Sequence, residues 1–374
     1  MNTTTVLLII LAYVAANYFT GTSIYRSFSS FINFPAWLFA TIWVLLAASS
    51  LADIFLGFPE KNNIFRQSLH TVGGIWLAFF IYLFLAAIVA WLISLFTVST
   101  DAIAILTGAL SFTAALIISG YGIYNSFSIR EKHYYLKLEK DLQTPVKIAM
   151  ISDVHLGSVG YMERIERVAK IINKAEPDIV CVCGDLFNGD FNSIDNKDGA
   201  RKVLAGINAK YGKYFCPGNH DSGETYADMM RFAKECGIIP LEDWTVYPGN
   251  SIRLTGRRDG SPIGETDGEP RKELPELTSE ATGLSVVMDH NPTHYEEYDT
   301  NTDLILSGHT HKGQIWPGNL ITEALFDADY GSYRKGSLSP RMIVSSGCGV
   351  WGPPMRTGSQ CEVVIIDITG KNAE

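Results

Sequence analysis

The first 124 residues of this 374-residue chain are poor in charge, and the chain as a whole has no excess of basic residues. Within the long apolar stretches of this part, Asp53 is the only clear ionisable side chain, so no series of buried charges is available to carry ions or protons across a membrane. A formal net charge of -9, with no basic stripe, argues against a nucleic-acid polymer as partner. Transport and nucleic-acid binding are therefore both disfavoured.

Cysteine pairs at metal-finger spacing are missing. The first two cysteines form Cys-Val-Cys in an apolar run, and no pair of Cys or His residues has zinc-finger spacing. A structural zinc site is therefore not expected. Buried free thiols are predicted instead for Cys181 and Cys183. The other cysteines, which are Cys216, Cys236, Cys348 and Cys361, also lie in the C-terminal domain, and the set fits a reducing compartment.

Four long apolar stretches occupy the first third of the chain, at residues 6–19, 35–58, 72–96 and 102–124. A bilayer core needs about 20 apolar residues in a helix, which the last three stretches reach and the first reaches with its flanking threonines. Residues 1–5 carry no positive charge, so the first stretch is predicted to be retained and not removed as a signal peptide. We predict four transmembrane helices.

Lys and Arg in the loops predict the orientation. With four spans, Lys61, Arg66 and the basic residues of 130–140 lie on one side, and Arg26 lies on the other. The positive-inside rule then predicts a multi-pass protein of the cell inner membrane with its C-terminal domain in the cytoplasm. We predict a transmembrane region with a juxtamembrane linker at residues 1–140 and a catalytic domain at 141–374. The basic residues after the last span are Arg130, Lys132, Lys137 and Lys140.

From about residue 145, short β-rich runs alternate with amphipathic helical stretches. This alternation predicts an α/β fold with a largely parallel sheet. Strands are predicted at residues 146–151, 179–183, 214–216, 284–288, 304–306, 342–345 and 363–368, and helices at 161–174, 197–209 and 225–235. Residues 257–280 have no apolar period, which is typical of a solvated loop; the alternative is a mobile flap whose Arg257 and Arg258 grip a substrate phosphate.

Polar side chains follow five of the predicted strands. Five of the eight histidines lie in these clusters, each close to a strand end. The carboxyl ends of strands in an open α/β sheet are where binding sites form. The clusters predict a metal site, and their members are Asp153-Val154-His155, Gly184-Asp185, Gly218-Asn219-His220-Asp221, Asp289-His290 and Gly308-His309-Thr310-His311.

In order and spacing, these clusters resemble the calcineurin-like metallophosphoesterase superfamily. The resemblance covers about residues 146–368, and the segment from Trp351 to Arg356 is similar to a bacterial branch near the YkuE and YaeI phosphodiesterases. It implies a four-layer α/β/β/α sandwich. It also implies that Asp153, His155 and His311 bind one metal, that Asn219, His290 and His309 bind a second, and that Asp185 bridges both.

The same resemblance implies that His220 faces the substrate while Asp221 orients its imidazole. Thr293 and Lys312 depart from the commonest pattern of the branch, but neither is an implied ligand. We expect His294 at the surface, and His70 and His133 lie outside the motifs.

Two divalent ions about 3.5–4 Å apart supply a hydroxide near neutral pH, and a protonated His220 can give its proton to the leaving oxygen. Oxygen and nitrogen ligands without thiolate suit manganese, our first choice, and also iron or zinc.

The predicted function is hydrolysis of a phosphodiester or diphosphate bond by a membrane-anchored enzyme. A nucleotide-linked lipid such as UDP-diacylglucosamine is the candidate substrate. A phosphomonoesterase or a cyclic-nucleotide phosphodiesterase is the alternative. From a different class, the chain is a membrane scaffold or sensor without turnover, although such domains usually lose ligands and every expected ligand is present here.

Overall fold

A computed structural model describes residues 3–29, 32–56, 64–96, 100–273 and 283–371. The chain divides into two compact units, Met1–Ile123 and Tyr124–Glu374. Lys61 and residues 274–280 of the predicted loop lie outside the described residues, as does the side chain of Asp53.

The first unit is built from apolar helices: α1 (Thr3–Ser29), α2 (Ala36–Leu56), α3 (Ile64–Ser94) and α4 (Asp101–Ser126), whose end enters the second unit. The segments Thr4–Ser29, Ser68–Ser94 and Ile105–Ser126 are long and apolar enough to cross a membrane, whereas the apolar segment Ala36–Ala52 is shorter. Large apolar side chains such as Leu11 and Leu45 are exposed on these helices. Apolar surface of this kind fits a lipid environment, and the fourth span stays a prediction.

The second unit contains two mixed sheets of six strands each, flanked by short helices. Its strands are β1 (Ile129–Lys137), β2 (Val146–Ile151), β3 (Ile179–Cys183), β4 (Lys213–Cys216), β5 (Ile238–Pro240), β6 (Trp244–Val246), β7 (Ile252–Gly256), β8 (Leu284–Met288), β9 (Leu304–Ser307), β10 (Gly331–Tyr333), β11 (Arg341–Val344) and β12 (Cys361–Thr369). Its helices after α4 are α5 (Tyr161–Ala175), α6 (Lys197–Ala205), α7 (Tyr226–Glu235) and α8 (Gly318–Leu325).

The first sheet has the order β1-β12-β2-β3-β4-β5, in which β2, β3, β4 and β5 are parallel neighbours. Alternate side chains of β2 point to opposite faces, as the pleat of a strand requires. Ala149 and Ile151 join a core with helix residues such as Ile165 and Phe232. Ile148 and Met150 join a core with the second sheet.

The second sheet has the order β10-β11-β9-β8-β7-β6. Its four central strands, β11, β9, β8 and β7, are parallel to one another. Its inner face supplies Val286 and Leu304 to the core between the sheets. On its outer face, Val287 and Ile305 pack with Tyr295 and neighbouring residues. Two face-to-face sheets with helices on the first are therefore present, and the fourth layer of the predicted sandwich stays a prediction.

Residues 129–137 differ from the prediction, which places them in a juxtamembrane linker. They form β1, which runs parallel to β12 over nine paired positions at the edge of the first sheet. The next basic residue, Lys140, pairs with Asp303 at 2.5 Å. This basic segment is therefore part of the second unit. All six cysteines are free and buried, which confirms the prediction for Cys181 and Cys183.

Candidate metal centre

The parallel strands of both sheets end at one site. Asp153 and His155 follow β2, Asp185 follows β3, and Asn219 follows β4. His290 follows β8 of the second sheet, and its Nδ1 donates to the carbonyl oxygen of Cys183 at the end of β3. His309 and His311 follow β9. The structure thus brings together all seven residues for which the sequence predicts a metal-ligand role.

Several of these residues have a left-handed backbone conformation that residues other than glycine rarely adopt. The φ angles of Asp153, His155, Asp185 and His311 lie between 49° and 52°, and that of His309 is 73°. Each such residue costs about 1–3 kcal/mol and persists only where its surroundings fix it. Amide hydrogen bonds provide such constraints here, from Asp153 to the Gly184 carbonyl and from His155 to the Asp185 carbonyl, both 3.0 Å long.

Glycines next to these residues leave the space that the side chains occupy. A Cβ on Gly184 would lie 2.2 Å from the ring of His290. A Cβ on Gly308 would lie 2.4 Å from a carboxylate oxygen of Asp153. Both glycines are therefore required for the close approach of the site residues.

Asp153, His155 and His311 form what we call the first half-site. The Nε2 atoms of His155 and His311 are 3.2 Å apart, and Nε2 of His311 is 3.3 Å from Oδ1 of Asp153. One potential ligand atom from each of the three residues lies within 4.8 Å of the others. All three side chains are buried.

Asn219, His290 and His309 form the second half-site. Oδ1 of Asn219 is 3.2 Å from Nε2 of His290 and 2.8 Å from Nδ1 of His309. Because the carbonyl of Cys183 can only accept, Nδ1 of His290 carries a proton, and the lone pair of the neutral ring is on Nε2. That lone pair therefore faces the oxygen of Asn219.

Asp185 lies between the two half-sites. Its Oδ2 is 3.3 Å from Nε2 of His290 and 3.8 Å from Nε2 of His155. Its Oδ1 accepts the backbone amide of His220 at 2.8 Å. Oδ2 of Asp185 thus faces both half-sites, whereas Oδ1 is fixed by a backbone amide.

The spacing of these atoms fits divalent cations. Two ligand atoms bound at about 2.1 Å to one ion lie about 3.0–3.4 Å apart at octahedral or tetrahedral angles. Neighbouring nitrogen and oxygen atoms within each half-site are separated by 2.8–3.3 Å. Acceptor atoms at these distances repel one another unless a proton or a cation lies between them. The seven residues therefore fit a dinuclear centre.

In the first half-site, burial lowers the pKa of the histidines. Burial lowers the pKa of His155 to about 3, with partial opposition from Asp185. Burial also lowers the pKa of His311 well below its usual range, and the Arg356 guanidinium adds to this effect. Both rings are neutral at pH 7, which is the form of imidazole that binds metals.

In the second half-site, the negative charge of carboxylates acts on His290. Burial opposes the charged ring, but Asp185, Asp153 and Asp259 together outweigh burial and raise the pKa of His290 well above its usual range. For His309, burial and then His290 lower the pKa to about 4. The pKa shifts of His290 and His311 therefore have opposite signs.

The structure gives Asp221 a different position from the predicted one. Its carboxylate accepts backbone amides of Phe187 and Gly218 at 2.8 Å each, and of Leu186 at 3.3 Å. In the described part of the chain it makes no hydrogen bond with the imidazole of His220. Asp221 therefore fixes the loops after β3 and β4, because its buried side chain accepts backbone amides from both loops.

The ring of His220 lies at the open side of the centre. Its centroid is 5.1 Å from that of His155 and 6.2 Å from that of Trp351. Burial lowers the pKa of His220, and Asp185 opposes this shift. An anion bound beside the ring would favour its protonated form.

The hypothesis that Arg257 and Arg258 grip a phosphate is wrong. Arg257 is buried and lies 3.0 Å from Asp243, and Arg258 makes two hydrogen bonds to Asp267 at 2.6 and 2.7 Å. Both guanidinium groups are therefore already paired. The described part of this segment is instead tied to the site, since Arg271 lies 2.6 Å from the buried Asp289.

Arg356 has no role predicted from the sequence beyond its place in the segment from Trp351 to Arg356. It is fully buried, and its Nη2 is 3.0 Å from Nδ1 of His311. Because a guanidinium only donates, Nδ1 of His311 accepts, and a cation at Nε2 must displace the proton of the neutral ring. Arg356 thus fixes the orientation of one predicted ligand.

The remaining noted positions lie apart from the predicted ligand atoms. Lys312 lies over the ring of Tyr330 at 4.3 Å, and Thr293 donates to Asn291. His294 is half-buried and 3.3 Å from Asp289, so it is less exposed than predicted. His133 lies in β1 and His70 in α3.

Comparison with known proteins gives the family. The model of the calcineurin-like phosphoesterase family matches residues 146–313. An uncharacterised metallophosphoesterase of Aquifex aeolicus is 31% identical over 265 residues, which are 69% of this chain and 98% of that protein. This chain belongs to the calcineurin-like metallophosphoesterases. It is accordingly a metal-dependent phosphoester hydrolase by family.

Two further relatives extend the comparison of this metallophosphoesterase. The uncharacterised metallophosphoesterase YkuE of Bacillus subtilis is 28% identical, over 60% of this chain and 80% of that protein. A transmembrane protein with a metallophosphoesterase domain from Danio rerio is 27% identical, over 59% of this chain, which spans about half (52%) of that relative. Together with the apolar helices, these matches indicate a membrane protein.

Proposed function

We propose that this metallophosphoesterase hydrolyses a phosphodiester or diphosphate bond with two divalent cations. The convergence of acceptor atoms around Asp185, at the spacing of metal ligands, carries this proposal. The residues that would hold the cations are Asp153, His155 and His311 for one, Asn219, His290 and His309 for the other, and Asp185 for both.

The chemistry divides between the cations and the chain. Bound divalent ions lower the pKa of water and offset the charge of phosphoryl oxygens. The chain keeps His155 and His311 neutral by burial, so neither ring carries a positive charge that would repel a cation at pH 7. The left-handed backbone at Asp153 and Asp185 keeps both carboxylates aimed inward before the substrate arrives.

His220 is the proposed proton donor to the leaving oxygen. It lies beside both half-sites, and its backbone amide is fixed by Asp185 at 2.8 Å. Its ring also borders an open cleft that is lined by Asp185, Asn219 and Trp351. An anionic phosphoester would raise the pKa of this ring and so favour the protonated donor.

The proposed substrate is lipid-linked, such as the nucleotide-linked UDP-diacylglucosamine, and the catalytic unit faces the cytoplasm at the inner membrane. The apolar helices of the first unit support membrane attachment. Large apolar side chains also lie exposed on the second unit near the site: Leu320, Ile321 and Leu325 of α8 are each more than half exposed. Manganese is the proposed ion, with iron or zinc as alternatives.

The first test is metal-dependent turnover by the full-length chain in detergent. Bis(4-nitrophenyl) phosphate should be hydrolysed after loading with Mn²⁺, and the rate should fall at least roughly 100-fold in Asp153→Asn. 4-Nitrophenyl phosphate, measured in parallel, separates a diesterase from a monoesterase. Stoichiometric metal without any turnover would favour the scaffold or sensor hypothesis, and absence of both would refute the proposal.

The second test concerns the lipid. A chain beginning at Tyr124 keeps β1 and should retain its rate on a soluble diester, but lose apparent affinity for a lipid-linked diphosphate presented in mixed micelles. The measurement is the ratio of truncated to full-length activity on each substrate. An equal loss on both substrates would mean that the helices support folding, and no loss on either would remove the case for a lipid substrate.

A further inference from the structure

An open cleft begins at the metal centre and ends in apolar side chains. Its volume is about 440 Å³. Asp185, Asn219 and His220 line its polar end. Its apolar end is lined by Ile315, Ile321, Phe326, Trp351 and Pro353.

Trp351 is exposed in this cleft, yet its backbone is fixed. The residue is 53% exposed. The side chain of Gln314 holds it from both sides, since its Oε1 accepts the amide of Trp351 at 3.0 Å and its Nε2 donates to the carbonyl at 2.7 Å. An indole presented to solvent on a fixed backbone has apolar area available for a ligand at little conformational cost.

The described residues that line the cleft include neither Lys nor Arg. A second phosphate in the apolar end would therefore be desolvated without a partner, which is unfavourable. An uncharged apolar group would instead exchange water for contact with Trp351, Phe326 and Ile321.

The position of His220 indicates which part of the substrate enters the cleft. Its ring centroid is 6.2 Å from that of Trp351, and its ring is the proton donor in the proposed function. A proton donor must reach the leaving oxygen. The group attached to that oxygen therefore lies on the side of Trp351.

We propose that this cleft binds the leaving group of the substrate, that this group is apolar, and that Trp351 is its main contact surface. The inference rests on the proposed function and narrows it. It favours a phosphodiester of an apolar alcohol over a diphosphate such as UDP-diacylglucosamine, because the leaving side of a diphosphate carries further negative charge. Gln314 is a positioning residue that acts through Trp351.

Binding tests the cleft without turnover. Full-length protein loaded with Mn²⁺ is titrated by calorimetry with methylphosphonate and with butylphosphonate, both too short to partition strongly into micelles. Burial of each methylene strengthens binding about three- to fourfold, so butylphosphonate should bind at least roughly tenfold more tightly. In Trp351→Ala this gain should fall below about threefold, and Trp351→Phe should be intermediate.

A matched control is Leu338→Ala, because Leu338 is 78% exposed and does not line the cleft. It should keep the full gain. Gln314→Ala should lose part of the gain although the indole is present. Equal dissociation constants for both phosphonates in the unmutated protein would overturn the inference.

Turnover measurements test whether the leaving group or the other substituent of the phosphate lies in the cleft. Replacing a phenyl by a 2-naphthyl leaving group in a methyl aryl phosphate should raise kcat/KM roughly tenfold, since the two leaving groups have similar acidity. Enlarging the other substituent from methyl to butyl, with phenyl retained, should change kcat/KM less than about threefold. The reverse pattern would place the non-leaving group in the cleft and overturn the inference. If no phosphonate binds and no diester is hydrolysed, the proposed function itself fails.

Discussion

The two half-sites differ in the charges that surround them. In the first, the Arg356 guanidinium lies 3.0 Å from the ring of His311, and the pKa of that histidine is lowered well below its usual range. In the second, the Asp185 carboxylate lies 3.3 Å from the ring of His290, and the pKa of that histidine is raised. The same residue type therefore experiences opposite potentials a few ångströms apart.

This difference predicts unequal affinity for cations. A negative potential acts on a divalent ion with twice the energy that it exerts on a proton, so the ion displaces the proton from His290. Asp259 strengthens the potential, since its charge also raises the pKa of His290 and its Oδ2 is buried without a hydrogen-bond partner among the described residues. We expect the second half-site to bind the first ion.

The largest effect is expected for the residue that the half-sites share. Asp185→Asn removes a negative charge from both, so it should weaken the binding of each ion by more than roughly 100-fold. Elemental analysis of the purified full-length protein measures the metal content. His220→Ala is the control, and similar metal loss in both variants would mean that Asp185 does not join the half-sites.

A smaller effect, limited to one ion, is expected for single ligands. His290→Ala should lose the tighter of two Mn²⁺ binding steps, whereas His311→Ala should lose the weaker step, each by roughly tenfold or more. Titration of the metal-free protein, with free Mn²⁺ followed by electron paramagnetic resonance, separates the two steps. Loss of the tighter step in His311→Ala would reverse the proposed order of affinity.

A substitution of Arg271 tests whether carboxylates cause the difference in cation affinity between the half-sites. It lies 2.6 Å from Asp289, which is fully buried and directly precedes His290. Arg271→Ala leaves a buried charge with fewer partners and should cost about 3 kcal/mol of stability, whereas the Arg258–Asp267 pair is more exposed and Arg258→Ala should cost about 0–1 kcal/mol.

Thermal unfolding of the full-length variants compares these costs. Because Arg271→Ala also makes the surroundings of the second half-site more negative, its affinity for Mn²⁺ should not decrease. A fall in that affinity in the remaining folded protein would show that the carboxylates are not the source of the difference.

The sequence predicted the parts of the fold that depend on local pattern. The bounds of β2, β3 and β8 agree with the predicted strands, because each is a short apolar run flanked by polar residues. Strand β1 was missed, since Ile129–Lys137 is mostly polar and exposed and is held by pairing with β12, more than 200 residues later. Strand propensity does not report such distant pairing.

The candidate site shows the same contrast between local sequence pattern and contacts of distant segments. Residue types at strand ends predicted a metal site, and the family resemblance implied which seven side chains come together. The partners of Asp221 and the contact of Arg356 with His311 were not predictable, because they depend on how loops from different strands meet. The predicted role of Asp221 toward the His220 ring accordingly has no hydrogen bond to support it.

The smallest effect on either half-site is expected for His220. Its ring packs against His155 and is not a predicted ligand, so His220→Ala should retain both ions. As the proposed proton donor, it should matter most when the leaving oxygen is basic. We expect a loss of about 10²–10³-fold in kcat for an alkyl leaving group, and roughly tenfold or less for nitrophenolate, which departs without a proton.

Asp221→Asn separates proton donation from loop support. It weakens the acceptor for the amides of Phe187 and Gly218, so it should lower the melting temperature and slow both substrate types to a similar extent. Steady-state rates on a nitrophenyl diester and an alkyl diester give the ratio for each variant. A leaving-group dependence in Asp221→Asn that matches His220→Ala would restore the role of Asp221 in orienting the imidazole. Equal slowing of both substrates in His220→Ala would mean that His220 positions the phosphate. The difference in cation affinity between the half-sites would then be independent of proton transfer.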